Sequence, residues 1–172
     1  MNSDCKKKSN IILVGMPSCG KSTVGVILAK TMNKDFVDTD ILIQQRELRP
    51  LQQIINEDGN DRFHEVEEEV LMSYDGENTV IATGGSAIYF ENAIEKFKEN
   101  GTVIYIKVSL ETVLKRLNNI STRGVTLEKG QTLEDLYHAR VPLYESRCEK
   151  IVEADELDIE GVVTEIVKII NG

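Results

Sequence analysis

The sequence predicts an α/β domain of three layers, a parallel sheet of about five strands between helices. Short apolar runs rich in β-branched residues alternate with longer segments of helical period. The first of these runs opens directly into a glycine-rich loop, and no repeat, low-complexity tract or Pro/Gly/Ser linker divides the chain. Runs that are apolar throughout belong to strands buried on both faces, and helical crossovers between them make such a sheet parallel.

The strands are expected, in order, at "NIILVG" from residue 10, "KDFVD" from 34, "NTVIAT" from 78, "GTVIYIKV" from 101 and "KIVEA" from 150, with helical patterns between them. Residues 118–132, "NNISTRGVTLEKGQT", break the rhythm: they are polar, weakly periodic and hold Gly124 and Gly130. That stretch reads as a mobile lid, with an ordinary surface loop as the alternative.

A length of 172 residues with 41% hydrophobic content suits one domain spanning 1–172 around a single core. Cys5, Cys19 and Cys148 are odd in number and form no CxxC pair, so reduced thiols in a cytoplasm are expected. The polar, basic start lacks a signal-peptide core, and no run approaches the ~18 apolar residues of a membrane span. A net charge of -9 disfavours a polyanionic nucleic-acid partner. An anionic nucleotide must then be held by local features. A small-molecule substrate and a monomer, with neither nucleic acid nor membrane as partner, are the expectation.

Such a feature is "GMPSCGKST" at 15–23, where Gly15, Gly20, Lys21 and Ser22 meet the pattern G-x-x-x-x-G-K-[ST] between a strand and a helix. Glycines let the backbone curl so that the amides of Ser18, Cys19, Gly20 and Thr23 can turn inward, and the helix N-terminus adds positive potential. Lys21 reaches terminal phosphates and Ser22 is suited to Mg²⁺. ATP and Mg²⁺ are thus the expected ligands. Cys19 reads as passive, because no base is indicated beside it.

The second strand ends in "DFVDTD", and an extended chain would point Asp38 and Asp40 the same way. Asp38 suits Mg²⁺ held through water, and Asp40 suits a hydrogen bond from an acceptor hydroxyl. The alternative is that one of them simply caps the helix that follows.

With "DTD", "GNDRFHEVE", "IATGGS", "RLNNISTR" and "RVPLYE" following the loop in order over nearly the whole length, the chain resembles the shikimate kinase family. The resemblance implies the P-loop kinase fold and ATP-dependent phosphorylation of the 3-hydroxyl of shikimate, on the way to aromatic amino acids. It also implies that Lys21 and the loop hold ATP, that Ser22 and Asp38 hold Mg²⁺, and that Asp40 orients or deprotonates the attacking hydroxyl. Gly84 and Gly85 would present amides to the substrate, Arg116 and the lid's Arg123 would lie over the nucleotide, and Arg140 would pair with the substrate carboxylate. General chemistry agrees, since phosphoryl transfer needs positioned positive charge and excluded water, and a planar guanidinium meets a carboxylate bidentately. An alternative for Arg140 is a surface ion pair with Glu134 or Glu145.

The chain departs from the family at three places. His64 stands where an arginine is usual, Ser86 where a third glycine is common, and Gly124 where proline is common after Arg123. Phe63, Val66, Val70 and Leu71 make one helical face that includes Glu67, with His64 at its border, so a His64–Glu67 hydrogen bond could keep the imidazole cationic. A border histidine without a ligand is the other reading. The departures also leave open a kinase for a different hydroxylated acceptor, or a nucleotide-binding regulatory module. A GTPase is disfavoured by the lack of an "NKxD" stretch after a late strand.

Overall fold

The computed structural model describes residues 8–117 and 125–172. Cys5, Arg123, Gly124 and the first half of the expected lid lie outside the described residues.

Five strands form one parallel sheet: β1 (Asn10–Val14), β2 (Asp35–Asp38), β3 (Thr79–Ala82), β4 (Gly101–Lys107) and β5 (Lys150–Glu153), in the order β2-β3-β1-β4-β5. Each coincides with an expected run. All residues of β1 and β3 are buried, as strands covered on both faces require.

Strand order and crossover hand fix the layers. The chain leaves β1 through α1 (Lys21–Met32) toward the β2 edge, whereas α4 (Glu91–Asn100) carries it from β3 past β1 to β4. Right-handed crossovers that step in opposite directions lie on opposite faces. Thus α1 packs with the last helix, α7 (Ile159–Asn171), on one side. On the other lie α4, α3 (Leu51–Ser73) and α6 (Leu133–Arg147), with α2 (Thr39–Glu47) beside α3, α5 (Leu110–Leu117) beside α6, and a 3₁₀ turn at Gly85–Tyr89. No helix among the described residues is long and apolar enough to cross a membrane.

The reversal of direction between β1 and β3 opens a crevice at their carboxyl ends, where sheets of this kind bind ligands. Leu13 is level with Ala82, and Thr83 donates to the Leu13 carbonyl from both its amide (3.2 Å) and its hydroxyl (2.9 Å). The two loops therefore leave from one fixed point.

Three local details sharpen the sequence reading. The extended run in "DFVDTD" stops at Asp38, because its carboxylate accepts the Asp40 amide at 3.0 Å and caps α2, so Asp40 lies in the helix's first turn. Gly59 breaks α3 with φ 85 and ψ 170, which turns its second part, carrying Phe63 to Leu71, into the core. The end of the expected lid is not free-standing: Thr126 is buried, Val125 packs on the core, and Thr132 with Asp135 forms a capping box that starts α6.

Candidate functional site

A cleft of about 400 Å³ occupies the crevice, a volume that fits a small-molecule site. One wall is the phosphate loop with Ser18, Gly20, Lys21, Ser22 and Thr23; the other carries Asp38, Asp40, Gly84 and Gly85, with Glu67 and Ser86 behind them.

The loop's shape follows from its glycines and its lysine. Gly15 has φ 151, and a Cβ there would stand 2.7 Å from the Ile106 carbonyl oxygen, so the loop can lie on β4 only if this residue has no side chain. Ser18 takes the left-handed φ of 65, and its hydroxyl is buried without a partner among the described residues. Gly20 precedes α1 with no side-chain cap, which leaves the helix's first amides to an anion. Lys21 is only 7% exposed, and its ammonium donates to the carbonyls of Gly15 and Met16, both at 2.8 Å. Cys19 lies beneath, 3.6 Å from that ammonium, and Arg116 reaches the loop from α5 by donating to the Ser18 carbonyl at 3.1 Å.

Ser22 donates to Asp38 at 2.6 Å, which sets two hard oxygens side by side at the mouth of α1. No group of three or more His, Cys, Asp or Glu suited to a metal occurs among the described residues. Two oxygens with room for water and phosphate suit Mg²⁺, which dehydrates reluctantly.

On the opposite wall, Gly84 holds two carboxylates close. A Cβ on Gly84 would meet Glu67 Oε1 at 2.6 Å and Asp40 Oδ1 at 2.9 Å. Glu67 has no exposed surface; Ser86 donates to one of its oxygens at 2.5 Å, and the other has no partner among the described residues. Burial, with Asp40's charge adding to it against the Ser86 bond and the Arg140 charge, raises the Glu67 pKa to about 8. Glu67 is therefore mainly neutral at physiological pH.

This has a consequence for stability. Near pH 4.5 and below, folded and unfolded chains both hold the proton; as pH rises toward 8 the unfolded chain releases it first, so stability falls across that window and levels above it. Glu67→Gln keeps an acceptor for Ser86 and never ionises. It is expected to exceed the native chain in unfolding free energy by about 2 to 4 kcal/mol at pH 8 and to differ little at pH 5. Denaturant titrations at the two pH values check this, and a gap independent of pH would contradict it.

Arg140 sits behind Gly85 rather than in the cleft lining. It is 2% exposed, its Nη1 would be 2.8 Å from a Cβ on Gly85, and its guanidinium lies over the Tyr89 ring at 5.2 Å. Its donors reach the Tyr89 hydroxyl and Thr126 Oγ1, each at 3.3 Å. The alternative ion pair with Glu134 or Glu145 does not form; Glu134 meets His138 and Glu145 meets Lys107. No carboxylate pairs with Arg140 among the described residues, so a buried cation stands next to Gly85, while the Gly84 amide donates to Thr39 Oγ1 at 3.2 Å. Tyr144 donates to the Gly85 carbonyl at 2.6 Å and fixes that approach.

His64 does not hydrogen-bond Glu67. Its Nε2 lies 3.3 Å from Thr126 Oγ1, and its ring is ringed by Phe63, Tyr89 and Phe90. Burial first, then Arg140, holds its pKa below the ordinary 6.5, so the imidazole is neutral rather than cationic at physiological pH. The expectation failed because Ser86, from a different element, satisfies Glu67.

The structure thus gathers Ser18, Gly20, Lys21, Ser22, Thr23, Asp38, Asp40, Gly84 and Gly85 about one cleft, with Gly15 and Cys19 under the loop. Arg116, His64 and Arg140 flank it. Two participants, Thr126 and Tyr144, were not singled out from sequence and carried no signal there, since their contacts join residues 62 and 59 positions apart.

A family model described as shikimate kinase matches residues 17–171. A shikimate kinase of Clostridium botulinum (strain Eklund 17B / Type B) is 37% identical over 166 residues, covering 95% of this chain and 98% of the relative. Among solved structures, a shikimate kinase from Acinetobacter baumannii in complex with shikimate superposes with a TM-score of 0.88 at 29% identity, over 96% of this chain and 94% of that one. One from Aquifex aeolicus gives 0.81 at 33% identity, over 95% and 96%. A gluconokinase from Sinorhizobium meliloti, with a TM-score of 0.56 at 13% identity, shares the fold alone.

Proposed function

The chain belongs to the shikimate kinase family, and from that premise we propose that it transfers the γ-phosphoryl group of ATP to the 3-hydroxyl of shikimate through the side chains gathered at the β1/β3 crevice. The observation that carries this reading is the pairing of opposite walls: phosphate-loop amides and Lys21 on one, Asp40 with Gly84 and Gly85 on the other, and Arg140 behind Gly85.

The chemistry follows from placement. The uncapped start of α1 and the curled loop receive the phosphates, and Lys21 exchanges its two carbonyl bonds for phosphate oxygens. Ser22 and Asp38 hold Mg²⁺, which when bound offsets phosphate charge. Asp40 accepts the proton as the acceptor's oxygen bonds to phosphorus and the bond to the departing ADP breaks. Neutral Glu67 behind it removes one competing negative charge from the attacking side. Arg140 takes the acceptor's carboxylate and sets which hydroxyl faces Asp40. Arg116, beside Ser18, and Arg123, outside the described residues, add positive charge over the nucleotide. Cys19 and Cys148 are free thiols, in keeping with a reducing cytoplasm, and we read 1–172 as one monomeric kinase domain.

An ADP-release assay across small hydroxy acids, polyols and amino alcohols, shikimate among them, tests the acceptor. Release with shikimate at the highest kcat/KM is expected, and release with another acceptor alone would overturn the reading. Arg140→Met, which keeps bulk in the buried site, is expected to raise the shikimate KM about 10- to 100-fold, the worth of a hydrogen bond to a charged group. Unchanged ATP affinity measured alongside shows that the fold is retained.

A further inference from the structure

Two nitrogens from different elements converge on one hydroxyl: His64 Nε2 from α3 and Arg140 Nη2 from α6 both lie 3.3 Å from Thr126 Oγ1. Thr126 is 5% exposed and belongs to the stretch after Arg123, so the final part of the expected lid is tied to both. We propose that Thr126 and His64 complete the acceptor's carboxylate grip with Arg140, and that binding of the carboxylate takes up one proton onto His64. The proposal rests on the reading of Arg140 as the carboxylate anchor.

Hydroxyl chemistry explains the coupling. Thr126 has one hydrogen to donate and two lone pairs to accept. Beside a neutral imidazole it donates to His64 Nε2 while accepting from Arg140. When Nε2 is protonated from solvent, both neighbours donate to Oγ1, and the threonine hydrogen is released to an anion. A carboxylate arriving at Arg140 is thus offered a second and a third partner, and its charge favours the imidazolium.

Burial first, then Arg140 on α6, opposes protonation of His64, Glu128 beyond Thr126 and Asp61 on α3 favour it, and Glu67 on α3 is held by Ser86. The 3₁₀ turn contributes the Tyr89 phenol, with Phe63 and Phe90 adding only apolar surface. Sign and window follow. A proton taken up on binding makes affinity greatest below the free histidine's pKa, lets it fall as pH rises, and leaves it level above the pKa of the complex.

The chain has two histidines, and His138 is exposed on α6, so proton NMR of the imidazole C2–H resonances reads His64 with an internal reference. On saturating the native protein with shikimate, the His64 midpoint is expected to move up. The shikimate KM should rise about tenfold between pH 5.5 and 8. His64→Gln flattens that profile, and Thr126→Val, of the same shape, reduces the NMR shift. An unmoved His64 midpoint with a pH-independent KM, while shikimate still drives ADP release, overturns this inference and leaves the acceptor assignment standing. No ADP release with shikimate at any pH removes the acceptor assignment, and the inference with it.

Discussion

Lys21→Ala is expected to lower turnover with ATP and shikimate by on the order of 10³-fold, the scale of losing a principal charge donor to a transferring phosphoryl group. The lysine is buried beside the loop that it serves, with its ammonium 2.8 Å from each of two loop carbonyls. Truncation therefore removes both the charge that meets the phosphates and the brace that curls residues 15–21. Those two losses separate experimentally. ATP binding by calorimetry reports the brace, and single-turnover ADP formation at saturating ATP reports the charge. A fall in ATP affinity with the single-turnover rate preserved would assign Lys21 to loop shape and count against its role in transfer. Lys21→Arg is not expected to rescue turnover, since a planar guanidinium does not reproduce the compact ammonium's two short bonds to the Gly15 and Met16 carbonyls.

The phosphate-loop wall of the cleft was legible in the sequence and the opposite wall was so only in part, for a physical reason. Gly15 to Ser22 form one contiguous loop whose shape is set by its backbone, so residue types at fixed spacing are enough to specify it. The strand runs were equally plain, because a strand buried on both faces admits almost nothing but apolar residues. The acceptor wall is assembled from α2, α3, the 3₁₀ turn, the segment before α6 and α6 itself, and no local pattern records those meetings. Helical spacing correctly placed Glu67 in the apolar arc and proposed His64, one turn earlier, as partner. The actual partner is Ser86, 19 residues away and brought there by β3. The same limit hid Thr126, whose burial depends on how the chain returns after residue 124. At Asp40 the period-2 argument gave the right facing for a different reason, since cap geometry at the start of α2 turns both aspartates toward the cleft.

Asp40→Asn is expected to lower kcat by about 10²- to 10⁴-fold, the usual worth of a positioned proton acceptor, while ATP binding persists. The amide is nearly the same shape, so Gly84 and the start of α2 need not move; what changes is charge and proton affinity. One effect then separates loss of the base from loss of structure. Asp40's charge is one of the influences raising the Glu67 pKa, and its removal should let Glu67 ionise at lower pH than the native value near 8. The pH range over which the protein loses stability should accordingly end earlier in the variant, as read by denaturant titration between pH 5 and 9. A variant with kcat within tenfold of native would show that the acceptor's proton leaves by another route. A slow variant whose stability profile matches the native one would show that Asp40 and Glu67 do not feel each other across Gly84, and the two-carboxylate arrangement would lose its basis.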